Sequence, residues 1–292
     1  MSFPASATEL RTPEAALAEL AAAASIEMSA RELHRAGEVA ALLPATTCVY
    51  VPSLPGLPLS RTLQAVAALS AAGLDPVPHV AARRIADPRE FEAFLRRAVD
   101  GFGVHRVMLV GGDEPQARGP FPDAATLLVE GVLSRCGVKE IGLAGYPEGH
   151  SRILAAELRQ ALERKLMLAA EQGLGAYVVT QFSFAPARVV EYCAAMERDH
   201  PSVPMYVGLA GPTDPAALAR YAQRCGVSAS LRALRTLGTG IARLVTHTDP
   251  REQALAIARH CAGRESTSVV GLHLYSFGSA VATASWLRNL LP

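Results

Sequence analysis

The feature that most constrains this chain is an alternation of two periods. Eight short apolar runs recur along it: 25–29, 46–52, 76–82, 106–113, 140–147, 176–184, 204–211 and 269–278. Each is bounded by Gly, Pro or Asp and is apolar almost throughout rather than at every second residue, as strands buried on both faces of a parallel sheet are. The stretches between them carry helical spacing. In "DPREFEAFLRRAVDGFG", Phe91, Phe94, Leu95, Ala98 and Val99 share one face, Asp87 can cap the start, and Gly101 or Gly103 the end. "TDPAALARYAQRCG" repeats the plan, with Asp214 as N-cap, Pro215 in the first turn, Gly226 at the close, and Leu218, Tyr221, Ala222 and Cys225 as the buried stripe.

Eight strands separated by helices predict a single (β/α)8 TIM barrel, a fold that needs about 250 residues. A helical extension over 1–24, opened by Thr12 and Pro13, precedes a barrel domain over 25–292, and the long interval 212–268 leaves room for an extra helical segment near 228–243. An open doubly wound sheet is the competing architecture, because βα alternation does not by itself prove closure.

Half of the 292 residues are hydrophobic but only 5% are aromatic, so alanine, leucine and valine must fill the core. The formal charge of +1 offers no basic surplus for a nucleic-acid backbone. Five scattered cysteines form neither a C-x-x-C pair nor a disulfide framework, which fits a reducing cytoplasm. Glu14 and Glu19 interrupt the alanine-rich start, and no apolar run is long enough for a membrane span.

In a barrel, chemistry gathers at the C-terminal ends of the strands. Those ends here carry Glu27, His79, Asp113, then Tyr146, Glu148 and His150, then Thr180 and Gln181, and finally His273 and Tyr275. Glu27, set between Ile26 and Met28, is the most informative. Burial raises a carboxyl pKa above its ordinary ~4.3, giving an acid that can donate a proton near neutral pH. The bland alternative makes Glu27 a helix N-terminal residue near Arg31. "VGGDEP" brings two glycines, which allow close backbone approach to a flat ligand, and a fixed charge at Asp113, yet it is neither a dinucleotide fingerprint nor a Walker loop. His79, Glu148, His150 and His273 could alternatively form a barrel metal site, although no H-x-H or H-E-x-x-H supports one.

Several motifs together resemble the methylenetetrahydrofolate reductase family, whose fold is a (β/α)8 barrel. "AGYPEGH" (144–150) is similar to its strand-five signature and "VVTQFSF" (178–184) to its T-Q-F-F-F segment; "VPHVAAR" (77–83), "VGGDEP" (110–115) and "IEMSAR" (26–31) stand where the family has P-H-L-T, R-G-D-x-P and F-E-F-F-P-P-R. The resemblance implies Glu27 as the general acid that protonates N10 of methylene-tetrahydrofolate, Asp113 between folate and flavin, and Gln181 on the pterin. It also implies His79, Gly112, Asp113, Tyr146 and His150 as flavin contacts, with Lys165, Arg159 or Arg164 at the flavin phosphates and Glu148 behind them. FAD, NADH or NADPH as reductant, and a tetrahydrofolate derivative as substrate follow from the same resemblance, as does a place in one-carbon metabolism and methionine biosynthesis.

Four departures accompany it. The arginine of R-G-D is Gly111, F-F-P-P is replaced by Met28, Ser29 and Ala30, and Phe277, Gly278 and Ser279 stand where a substrate-binding arginine is expected. The second folate glutamine has no clear counterpart. The expectation is therefore an oxidoreductase interconverting methylene- and methyl-tetrahydrofolate, cytoplasmic, a possible homo-oligomer, with no nucleic-acid or membrane partner and no metal. Glu27, His79, Asp113, Tyr146, His150 and Gln181 should line one mouth. A non-catalytic folate- or flavin-binding partner of another C1 enzyme, and a metal-dependent barrel lyase or hydrolase, are the alternatives.

Overall fold

The computed structural model describes residues 11–214, Leu218, 250–264 and 266–291. Eight strands close into an all-parallel barrel in sequence order, β1 pairing with both β2 and β8. They are β1 (Ser25–Glu27), β2 (Cys48–Val51), β3 (Asp75–Ala81), β4 (Arg106–Val110), β5 (Glu140–Gly145), β6 (Gly175–Thr180), β7 (Met205–Ala210) and β8 (Val269–Tyr275). The chain is thus a (β/α)8 barrel, and the open sheet is ruled out. All eight runs became strands, but β4, β6 and β8 stop three or four residues short of the ends of the apolar runs that predicted them. The residues beyond bend over the rim as loops.

Among the described residues the α-helices are α1 (Pro13–Ala22), α2 (Ala36–Leu42), α3 (Leu59–Ala71), α4 (Pro88–Phe102), α5 (Ala124–Val129), α6 (Val132–Arg135), α7 (Ala155–Glu171), α8 (Pro186–Asp199), α9 (Arg251–Ala262) and α10 (Ala280–Arg288). Thr12 caps α1 by accepting from the Ala15 amide at 3.2 Å. Asp87 caps α4 by accepting from the Arg89 amide at 2.8 Å, and Gly103, at φ 72°, closes it. Phe91, Phe94, Leu95 and Ala98 are buried as the spacing required, whereas Val99 at the edge of the stripe is only half-buried. Of the helix expected after Asp214, Leu218 is buried and its amide donates to the Asp214 carbonyl (2.9 Å); Tyr221, Ala222, Cys225 and the segment 228–243 lie outside the described residues.

Two apolar layers result. Between helices and strands runs the large core, which includes the α1 residues Ala16, Leu17, Leu20 and Ala21. Inside the barrel sits a second cluster of Tyr50, Val77, Met108, Tyr177 and Val179. Gly142 on β5 makes room for it: a Cβ there would meet Met108 Sδ at 2.7 Å and the Tyr177 ring at 3.0 Å. Tyr50 and Tyr177 satisfy each other through a 2.9 Å hydroxyl bond, and burial pushes both phenols above their ordinary pKa. Below them, toward the N-terminal ends of the strands, Arg106 pairs with Glu140 (2.6 Å) and donates to Cys48 Sγ (3.3 Å), while Cys48 donates to Asp75 (3.4 Å). Burial and Asp75 push the Cys48 thiol up to about 12. The barrel is filled from this layer upward, and polar chemistry is left to the opposite rim.

Candidate active site

Glu27 is the last residue of β1 and is buried at the C-terminal rim, not at a helix terminus. Two imidazoles face it: His79 Nε2 from β3 lies 3.8 Å from Glu27 Oε1, and His273 Nε2 from β8 lies 4.0 Å from the same oxygen. The His79 Nε2 atom is buried with no hydrogen-bond partner. Such an atom normally costs free energy unless it meets a polar group, so its position at the edge of the Glu27 carboxylate fits a site that receives a ligand or a proton. Burial depresses His79 to about 4, Glu27 opposing the shift and His273 adding to it, so this imidazole is neutral at physiological pH. His273 is anchored from behind by Ser25, whose Oγ is 2.8 Å from Nδ1. The pairing of Ser25 with His273 in the β1–β8 register makes that contact. Tyr50 stands edge-on to His273 (4.5 Å between centroids) and to His79 (6.0 Å), and Tyr275 edge-on to His273 from above (4.7 Å).

The loops after β4 and β5 form the next part of the rim. Gly112, at φ 97°, turns the chain sharply after β4, a conformation a side chain would strain. Asp113 follows it, exposed, and its charge opposes the lowering of the His150 pKa caused first by burial and then by Arg152. His150 accepts from the Arg152 amide at Nδ1 (3.2 Å) and stands edge-on to Tyr146 at 5.5 Å. Glu114 underpins this loop: Arg84, just after β3, pairs with its carboxylate at 2.5 Å and also donates to the Ser53 carbonyl. Arg83 donates to the Glu114 and Pro122 carbonyls at 3.2 and 2.7 Å, so the exits of β2, β3 and β4 are tied together. Gln181 lies one residue beyond β6, half-buried, with its amide donating to the Gly145 carbonyl at 2.7 Å. Phe182, Phe184, Tyr275 and Phe277 pack together beside it, with Phe182–Phe277 centroids 5.1 Å apart.

A model of the methylenetetrahydrofolate reductase family matches residues 56–290. The chain belongs to the methylenetetrahydrofolate reductase family. Among solved structures, it is similar to dihydropteroate synthase from Thermus thermophilus (17% identity, 90% of this chain and 91% of that one, TM-score 0.46). The same enzyme in complex with 6HMPPP matches at 16% identity, over 91% and 92%, with a TM-score of 0.45. 3-Dehydroquinate dehydratase from Geobacillus kaustophilus matches at 12% identity over 67% and 76%, with a TM-score of 0.41. At these identities and scores the likeness carries no chemistry to this chain.

In this reductase-family barrel, Glu27 ends β1, His79 lies two residues before the end of β3, and Gln181, Gly112, Asp113, Tyr146 and His150 stand in the loops beyond their strands, on one rim. His273, Ser25 and Tyr50, which had no expected role beside the acid, are joined to it. His273 was already among the polar strand-end residues, whereas Ser25 and Tyr50 had no signal but the strand register, which becomes visible once the barrel closes. Glu148 is half-buried in the turn between Tyr146 and His150. Tyr146 and His150 are in ring contact and the charge of Asp113 reaches His150, so these three gather where the resemblance implies a flavin ring. The basic residues implied for its phosphates are placed differently. Lys165 is half-buried on α7, where burial lowers its pKa and the nearby charge is Asp123, an anion. Arg159 and Arg164 are both exposed positions of α7. Helical geometry sets Arg164 roughly 150° around from the buried Leu162 and Ala169. The Leu154 amide at the N-terminus of α7 already donates to Glu157 (3.1 Å). A pyrophosphate would meet that carboxylate rather than free donors. Among the described residues, no three His, Cys, Asp or Glu side chains converge as a metal site, and no helix is long and apolar enough to cross a membrane.

Proposed function

We propose that this chain interconverts 5,10-methylene-tetrahydrofolate and 5-methyl-tetrahydrofolate, with the hydride exchanged with a reduced nicotinamide. The observation that carries the reading is the buried Glu27 carboxyl between two imidazoles at the mouth of a barrel of this family. Glu27 protonates the N10 nitrogen of the substrate. The five-membered ring then opens, the C–N electron pair stays on N10, and a cationic iminium is left at N5. Hydride adds to its exocyclic carbon to give the methyl group. His79, neutral, imposes no second positive charge beside that cation. With its hydrogen on Nε2, His273 accepts from Ser25 at Nδ1 and presents an N–H toward Glu27, orienting the carboxyl, while the proton that recharges the acid comes from solvent. Gln181 orients the pterin, Asp113 supplies a fixed negative charge facing the developing cation, and the aromatic wall of Phe182, Tyr275 and Phe277 excludes water. A flavin, if bound, would supply hydride relay between nicotinamide and folate, with Tyr146 and His150 against its ring.

The test is anaerobic turnover of methylene-tetrahydrofolate with NADH and with NADPH, run without flavin and with excess FAD. Glu27→Gln keeps the shape of the side chain but delivers no proton, and should lower the rate by ~10²–10⁴-fold. Parental turnover in that variant, or no folate turnover by the parent under any of the four conditions, would overturn the assignment.

A further inference from the structure

β1 is only three residues long, and the proposed acid is its last residue. After Glu27 the Met28 amide still donates to the Tyr50 carbonyl (2.9 Å), and then the chain leaves the sheet. Where the sequence resembles F-E-F-F-P-P-R, prolines would stiffen that exit by fixing φ; this chain has Ser29 and Ala30 instead, ahead of Arg31. The exit is nevertheless held. The Glu32 amide donates to the Ser29 carbonyl at 2.8 Å, closing a turn. The Glu32 carboxylate folds back over the same turn, where Oε2 accepts from the Ser29 hydroxyl at 3.0 Å and the Ser29 amide at 3.3 Å. Its other oxygen, Oε1, accepts at 3.1 Å from the amide of Ala280, the first residue of α10. Ser279, at the N-cap position of that helix, makes no side-chain cap of its own. One carboxylate therefore joins the exit of β1 to the exit of β8, the two neighbouring strands that carry Glu27 and His273.

We infer that Glu32 is a positioning residue, a clasp that holds the exits of β1 and β8 in register so that Glu27 faces His273 and His79. Charge-assisted bonds from one carboxylate to two backbone amides and a hydroxyl are stronger than neutral ones, so a single side chain can do the work of the missing prolines. The role in turnover rests on the proposed folate reaction; the role in geometry does not.

The experiment uses the full chain labelled with ¹⁵N-histidine, with the resonances of His79 and His273 assigned from His79→Gln and His273→Asn. Glu32→Ala and Ser29→Ala are compared with the parent without ligand, and then in turnover. In Glu32→Ala the imidazole resonances of both histidines should move while the circular dichroism stays parental. The kcat with methylene-tetrahydrofolate should fall ~10–100-fold, as misplacement of a reacting group by about 1 Å does, and the KM for the nicotinamide should stay within about twofold. Ser29→Ala should shift the same resonances less, and the double variant should be no worse than Glu32→Ala alone, because both substitutions open one clasp. Unmoved imidazole resonances in folded Glu32→Ala overturn the inference, and so does an additive double variant. Should Glu32→Ala fail to fold, unmoved resonances in Ser29→Ala do the same. If the parent shows no folate turnover, the ligand-free spectra still decide the clasp, and it is the proposed reaction that fails.

Discussion

Replacing His79 by glutamine should flatten the acid limb of the protein's stability curve. His79 is held neutral in the fold with a pKa of about 4, against 6.5 for an ordinary histidine, and burial is the main cause. The unfolded chain therefore binds more protons than the folded one between those two values, and stability is lost as the pH falls through that window. For a single site with these constants the loss is about 2 kcal/mol by pH 5 and about 3 kcal/mol by pH 4, relative to pH 7.5 and above, where the contribution is fully present. Burial likewise lowers His150 and His260, with the same sign, but both remain in the variant and cancel in the comparison. Urea unfolding of parent and His79→Gln at pH 7.5, 6, 5 and 4.5 measures the difference directly. Parent and variant should diverge in slope below pH 6.5, the parent losing about 2 kcal/mol more by pH 5. Parallel curves would mean that His79 takes up its proton in the folded state at an ordinary pH. The neutral imidazole beside the developing cation would then have to be abandoned.

Gly142→Ala should destabilise the barrel by about 1–3 kcal/mol in urea or thermal unfolding, because the added Cβ collides with Met108 and Tyr177 inside a filled interior; an unchanged midpoint would show that the inner cluster is loosely packed. FAD added in excess and then removed by gel filtration should leave no stoichiometric flavin absorbance. Each charge-assisted phosphate contact that is missing costs about 1.5–3 kcal/mol, or about 10–150-fold in affinity. Lys165→Met should change flavin affinity by less than about twofold, since Lys165 lies beside Asp123 within the protein; tight retention lost in that variant would restore Lys165 as a phosphate ligand.

The barrel was legible because parallel strands covered on both faces carry an apolar signal too continuous to miss, and because caps such as Asp87 and Gly103 obey local rules. The same continuity hid which residues point inward. Tyr50, Tyr177 and Tyr206 read as ordinary apolar strand residues, yet they fill the barrel interior, and only closure of the sheet assigns them there. At the site, Glu27 stood out because an acid in an apolar run is expensive. His79 and His273 stood out as polar residues at strand ends but not as its partners, and the supports behind them lie far off in sequence: Ser25 meets His273 across 248 residues, and Glu32 meets Ala280 at the same separation. Arg84 and Glu114 pair across 30 residues, and that pairing is a matter of loop geometry. Lys165 could be placed on its helix by spacing, but the anion beside it comes from the N-terminus of another helix, α5.

The packed lower half of the barrel also governs traffic. With Arg106, Glu140 and Cys48 closing one end and the Tyr50–Tyr177 pair stacked above them, Glu27 communicates with solvent through the rim alone. In the proposed reaction, the folate, the nicotinamide and the proton that recharges the acid would all use that opening. Hydride donor and acceptor would then share one side of the barrel, and the acid would be reloaded only once its substrate has left. A bound product would then block the next proton as well as the next molecule.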